Sequence, residues 1–122
     1  KPHWVIEQVE NTIKRFFDES TQKEKEKIKI GCFGITFKPD IDDLRESPAL
    51  FITERLAERY PGKVVAIEPN IKSIKNDCIQ LVDVEYALQN VHVAVMLVDH
   101  REFKKSPKPD TKYIVDLKGV WQ

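Results

Sequence analysis

Cysteine is scarce in this chain. Cys32 and Cys78 are the two it has; they lie far apart and share no metal-ligand spacing, so buried free thiols are expected in place of a disulfide or a metal site. An excess of charge is missing as well. The 20 basic residues balance the 20 acidic ones, which leaves no electrostatic footprint for non-specific nucleic-acid binding. Long hydrophobic runs are also lacking: the longest, such as 91–98, have the length of a strand, so no membrane span or secretory signal is expected and a cytoplasmic protein is the default. Gly31-x-x-Gly34 is not Gly-x-Gly-x-x-Gly, so the dinucleotide fingerprint is absent. No methionine opens the chain, and it begins inside a helical pattern, which reads as a piece of a longer polypeptide.

What is present suffices for one core. With 41% apolar residues in 122, the chain is too short for two ordinary domains but long enough for one. Trp4, Val5, Val9, Ile13, Phe16 and Phe17 recur at three- and four-residue spacing, which predicts a helix over 1–22 with one broad apolar face. That face needs a partner surface, and this domain is expected to supply only part of it. The run Lys23-Glu-Lys-Glu-Lys27 predicts a solvated loop connecting to a domain over 28–122.

Within that domain, apolar runs at 28–33, 63–67, 79–82, 91–98 and 113–117 predict strands, and helices are expected at 48–60, 71–76, 83–90 and 99–105. Strands separated by helices imply an α/β fold, a Rossmann-like doubly wound parallel sheet of about five strands in the order 3-2-1-4-5. Ligands in such sheets bind beyond the carboxyl ends of the strands, where the order reverses. Loop 34–47, the turn at Asp99-His100 and the segment Asp116-Leu-Lys118 all leave that edge.

The loop is the most informative of these. Ser47 followed by Pro48 is an N-cap with proline at the first helical position, so unpaired N–H groups and a positive dipole end would lie near the Lys38 ammonium. An anion fits there. Phe37 and Lys38 are read as functional, whereas Asp42, Asp43, Arg45 and Glu46 are read as surface ion pairs that stiffen the loop. Lys118 is placed to approach the same anion. Glu68 ends the second strand, where dinucleotide-binding domains place a ribose-binding acid; without the glycines it is expected to have a local structural partner. His100 lies nearest the site edge but has no recognisable catalytic companion, His92 is expected as a satisfied core group, and His3 is uninformative.

Gly34-Ile-Thr-Phe-Lys38 followed by acidic residues and Arg45-Glu-Ser-Pro48 resembles the nucleotide-sugar-binding domain of the UDP-glucose/GDP-mannose dehydrogenase family. Val65-Ala-Ile-Glu-Pro-Asn70, Met96-Leu-Val-Asp-His-Arg-Glu-Phe103 and Tyr113-Ile-Val-Asp-Leu-Lys-Gly-Val-Trp121 resemble its bacterial branch acting on UDP-N-acetyl-D-mannosamine. The resemblance implies that Phe37, Lys38 and Lys118 contact a UDP-sugar. It also implies a parent enzyme, expected as a homo-oligomer, that oxidises the sugar C6 alcohol to a carboxylate with two NAD molecules for surface polysaccharide synthesis. The catalytic cysteine and NAD site would belong to segments outside this chain, so the fragment is expected to be inactive and to hold no cofactor. The family's UDP-glucose pattern has arginine and glycine where this chain has Lys118 and Leu117, which favours the acetylmannosamine branch over the UDP-glucose one. Two other classes fit the residues: a stand-alone nucleotide-binding module using the lysines, and an interaction domain using the face from Trp4 to Phe17.

Overall fold

The computed structural model describes residues 2–121. Helix α1 (Pro2–Glu19) leads into a short helix α2 (Gln22–Glu26), and then five strands and three helices follow: β1 (Ile30–Phe33), α3 (Pro48–Arg59), β2 (Val64–Ile67), β3 (Ile79–Val82), α4 (Val84–Asn90), β4 (Val93–Met96), α5 (Arg101–Lys105) and β5 (Tyr113–Asp116). All four strand pairings are parallel, and the sheet order is β3-β2-β1-β4-β5, the order expected from the apolar runs. The order reverses between β1 and β4, and both lead out at the edge where loop 34–47 begins.

Period-two alternation divides the apolar strand residues between two cores. Ile30 and Cys32 of β1, Val64 and Ala66 of β2, and Val93 and Val95 of β4 pack with α1 and α3. Phe33, Val65, Ile67, Ala94 and Met96 pack on the other face with Ala87, Phe103 and Trp121, the Phe33 ring lying edge-on to Trp121 with centroids 4.9 Å apart. The central strands are buried on both faces, as a doubly wound parallel sheet requires.

Three expectations are corrected here. Helix α1 does not await an outside partner for its apolar face: Val5, Ile6, Val9, Ile13 and Phe16 are buried in the core shared with α3 and β5, which leaves Trp4 exposed at 56%. The charged run is exposed as expected but helical, because Thr21 and Glu24 form a capping box, with Glu24 N–H donating to Thr21 Oγ1 at 3.2 Å and Thr21 N–H to Glu24 Oε1 at 2.7 Å. Residues 71–76 are irregular, with bends at 72 and 75, instead of a helix. Asn76 Oδ1 takes the Cys78 N–H at 2.9 Å, a local turn bond that competes with helix formation.

Candidate functional site

The turn out of β1 is built around Gly34. Its φ is +92°, and a Cβ there would lie 2.5 Å from Val98 Cβ, so glycine is required both by conformation and by close approach to the end of β4. From that point the loop is bonded along its inner side. Gly34 N–H donates to Ile67 O at 2.9 Å, Ile35 and Thr36 N–H donate to Glu68 Oε1 at 2.8 and 3.3 Å, and Phe37 N–H donates to Asp43 O at 2.8 Å. Thr36 Oγ1 donates to Lys38 O at 2.9 Å, and Asp40 N–H donates to His100 Nδ1 at 2.8 Å. Ser47 closes the loop, donating Oγ–H to Ile35 O at 2.7 Å while accepting the Leu50 N–H at 3.1 Å as the N-cap of α3.

What this backbone leaves outward are the side chains of Phe37, 47% exposed, and Lys38. Neither the Lys38 nor the Lys118 ammonium enters an ion pair among the described residues. Of the four loop charges read as surface pairs, Asp43 and Arg45 do pair, at 3.1 Å, and the guanidinium beside Asp43 holds that carboxyl below the usual aspartate value.

Lys118 is placed by Asp116, whose carboxylate accepts the N–H groups of Lys118 and Val120 at 3.2 Å and of Trp121 at 2.8 Å across a turn in which Gly119 has φ +71°. Lys118 lines a cavity of about 160 Å³ with Pro48, Ala49 and Ile52 of the first turns of α3, and with Val5, Leu97 and Leu117. Phe37 lines a separate concavity with Asp43, Arg45 and Glu46, and Lys38 lines neither. The two lysines follow β1 and β5, strands separated only by β4, so their loops start roughly 10 Å apart at ordinary strand spacing.

The polar centre behind the loop was not legible as a unit. Glu68 is 4% exposed and His100 is fully buried, with His100 Nε2 2.9 Å from Glu68 Oε1 and 3.2 Å from Thr36 Oγ1. Since Nδ1 accepts from Asp40 N–H, the proton sits on Nε2 and points at Glu68. Asn70 completes the shell, its N–H donating to Glu68 Oε2 at 3.0 Å. Glu68 therefore has the local partner expected of it, but its main partners come from two other strand ends. Burial pushes its carboxyl pKa up, and the bonds from His100, Ile35 N–H and Asn70 N–H more than reverse this, leaving it below the ordinary glutamate value. The signal available in the sequence was the position of both residues just beyond the ends of apolar strands.

That geometry also tests whether a dinucleotide fits at β1 and β2. A cavity of about 340 Å³ opens at the ends of β2 and β3, lined among others by Glu68, Pro69, Lys72, Val84 and Glu102. Both Glu68 oxygens already accept bonds from protein groups, so the acid that would hold a ribose is taken, and the residues present do not fit NAD in that role. His92 is half-buried just before β4, where its Nδ1 accepts the Lys29 N–H at 2.9 Å; burial, with help from the Lys29 charge, pulls its pKa down.

A doubly wound sheet with a bonded loop and a capped helix N-terminus at its switch point defines an α/β domain of the kind that takes ligands beyond the carboxyl ends of its strands. Residues 31–122 match the UDP binding domain of the UDP-glucose/GDP-mannose dehydrogenase family, and the chain belongs to that family. It is 43% identical to the UDP-N-acetyl-D-mannosamine dehydrogenase of Yersinia pestis over 127 residues, covering 100% of this chain and 30% of that protein. The enzyme of the same name from Escherichia coli strain K12 is 43% identical over 128 residues, again with 100% and 30% covered. The native structure of the UDP-N-acetyl-mannosamine dehydrogenase Cap5O from Staphylococcus aureus superposes with a TM-score of 0.71 at 31% identity, over 99% of this chain and 27% of that one. The chain thus spans about 30% of the length of these curated relatives.

Proposed function

We propose that this chain is the nucleotide-sugar-gripping part of a UDP-N-acetyl-D-mannosamine 6-dehydrogenase, with Phe37, Lys38 and Lys118 contacting the UDP-sugar. In this reading the 1–22 helix ends the parent's central region, 23–27 connects it, and 28–122 is the UDP-sugar domain. The parent is a cytoplasmic homo-oligomer that holds NAD and its catalytic cysteine in the remaining segments and oxidises the C6 alcohol to a carboxylate with two NAD molecules. The observation that carries the reading is the loop 34–47, whose backbone is bonded along its inner side while Phe37 and Lys38 face outward at the switch point. Lys38 supplies a full charge, Phe37 an exposed aromatic face, and Lys118 a second charge above the start of α3. Lysine at 118 presents a compact ammonium and no guanidinium fork, so it neutralises an anion without fixing it bidentately.

In the full-length enzyme, Lys38→Ala and Lys118→Ala should each weaken UDP-sugar use by roughly tenfold to a hundredfold, the effect of deleting a charge-assisted bond of ~1.5–3 kcal/mol. The KM for NAD should stay unchanged. Lys118→Arg should impair turnover less than alanine does. The 122-residue chain alone should produce no NADH from any UDP-sugar. Folded alanine variants with wild-type kinetics would place the substrate elsewhere.

A further inference from the structure

We infer that His100 and Glu68 are a positioning pair for the nucleotide sugar, setting the height and direction of the Phe37-Lys38 loop without touching the ligand; the inference rests on the reading that Phe37 and Lys38 contact the substrate. Both side chains are fully buried. Neither imidazole nitrogen is free, since Nε2–H is directed at Glu68 and Nδ1 receives the Asp40 N–H, so His100 has no atom with which to exchange a proton with substrate. The same geometry rules it in for a different task. The loop bearing Phe37 and Lys38 is pinned on one side by Glu68, through the N–H groups of Ile35 and Thr36, and on the other by His100, through the N–H of Asp40. Between those pins, Thr36 Oγ1 bonds the Lys38 carbonyl and lies 3.2 Å from His100 Nε2.

The pins matter because the loop between them is strained. Asp40 has φ +61°, a left-handed conformation that is unfavourable for a non-glycine residue and persists only where its surroundings hold it. His100 holds its N–H, and its carboxylate in turn accepts the Arg101 N–H at the start of α5 at 2.9 Å. Glu68 follows β2 and His100 follows β4, the two neighbours of β1 in the sheet. The rigid sheet therefore fixes the loop from both sides, and this pre-organisation lowers the ordering cost of binding.

The test uses the full-length dehydrogenase that carries this domain. His100→Gln keeps an N–H donor for Glu68 but leaves no acceptor at the Nδ1 position that receives the Asp40 N–H, so the KM for the UDP-sugar should rise about tenfold while the KM for NAD stays within about twofold. A cycle with Lys38→Ala supplies the readout that a merely structural role would not give: the double variant should lose less than the product of the two single effects. Should His100→Gln not yield folded enzyme, Thr36→Val removes the hydroxyl between Lys38 O and His100 with little change of shape, and about a threefold rise of the same kind is expected. A wild-type UDP-sugar KM in either folded variant, or multiplicative losses in the cycle, would overturn the positioning role. A silent Lys38→Ala would instead bring down the underlying site assignment, so the two failures are distinct.

Discussion

The Cys32 thiol is fully buried, and burial raises its pKa to about 12 although Thr53 bonds to it and works in the opposite direction. Cys78 is a free, exposed thiol. A disulfide reagent at neutral pH should therefore label Cys78 alone in the folded chain and Cys32 only after denaturant is added; rapid labelling of both in the native state would contradict the burial. Acid sensitivity is a second residue-scale consequence. His92 and Glu68 both have folded pKa values below their ordinary ones, 6.5 and 4.5, so each contributes stability that is complete above the ordinary value and lost as pH falls through the folded one. The urea midpoint should thus begin to fall below about pH 6.5 because of His92 and fall further below about pH 4.5 because of Glu68. His92→Gln should shrink the upper stage. At this scale the sequence showed Glu68 and His100 as two strand-end residues, but not as a pair. Their partnership spans 32 positions and depends on which strands flank β1, which no local pattern encodes.

Helix α3 was legible to within a residue because its start is written in local chemistry. Ser47 both caps the helix and donates to Ile35 O, so Ser47→Ala removes a cap and leaves a buried carbonyl without its partner. A loss of about 1–2 kcal/mol in denaturant unfolding is expected, with Ser47→Thr retaining most of it. All five strands were legible in place, because the buried central ones read as apolar runs, but the runs at 28–33 and 91–98 overshoot β1 and β4 by two residues at one or both ends. Failures occurred where short segments carry competing signals. Ile71 and Ile74 stand at helical spacing, but Asn70 N–H donates to Glu68 Oε2 and Cys78 N–H to Asn76 Oδ1, and these side chain–backbone bonds fix turns on either side of the segment. Over 22–26 the charge run signals a loop while the Thr21-Gln-Lys-Glu24 box signals a helix start, and the box prevails. The bonds that form the candidate loop could not be read at all, because glutamate and histidine supply them from other elements.

For the whole molecule, the docking of α1 removes the apolar stripe that would otherwise drive self-association. Trp4 stays exposed and Trp121 is buried against Phe33. Acrylamide should accordingly quench two tryptophan populations of different accessibility, and Trp4→Phe should leave only the shielded one; uniform quenching would show that α1 lies elsewhere. Ile13, 1% exposed within that interface, should cost about 2–5 kcal/mol when cut to alanine. The sheet order has a further consequence in time. Central strand β1 pairs with β2 and β4, and the contact of Lys29 with His92 beside it spans 63 positions. During synthesis the middle of the sheet is therefore made first and completed late, leaving β1 as an unpaired apolar edge while the ribosome adds β2, β3 and α4. Such long-range parallel pairing folds slowly and exposes aggregation-prone surface meanwhile. A force profile along the nascent chain should show no cooperative pull until β4 has cleared the exit tunnel, and a ribosome stalled before Val93 should hold a chain that proteases and chaperones still recognise as unfolded.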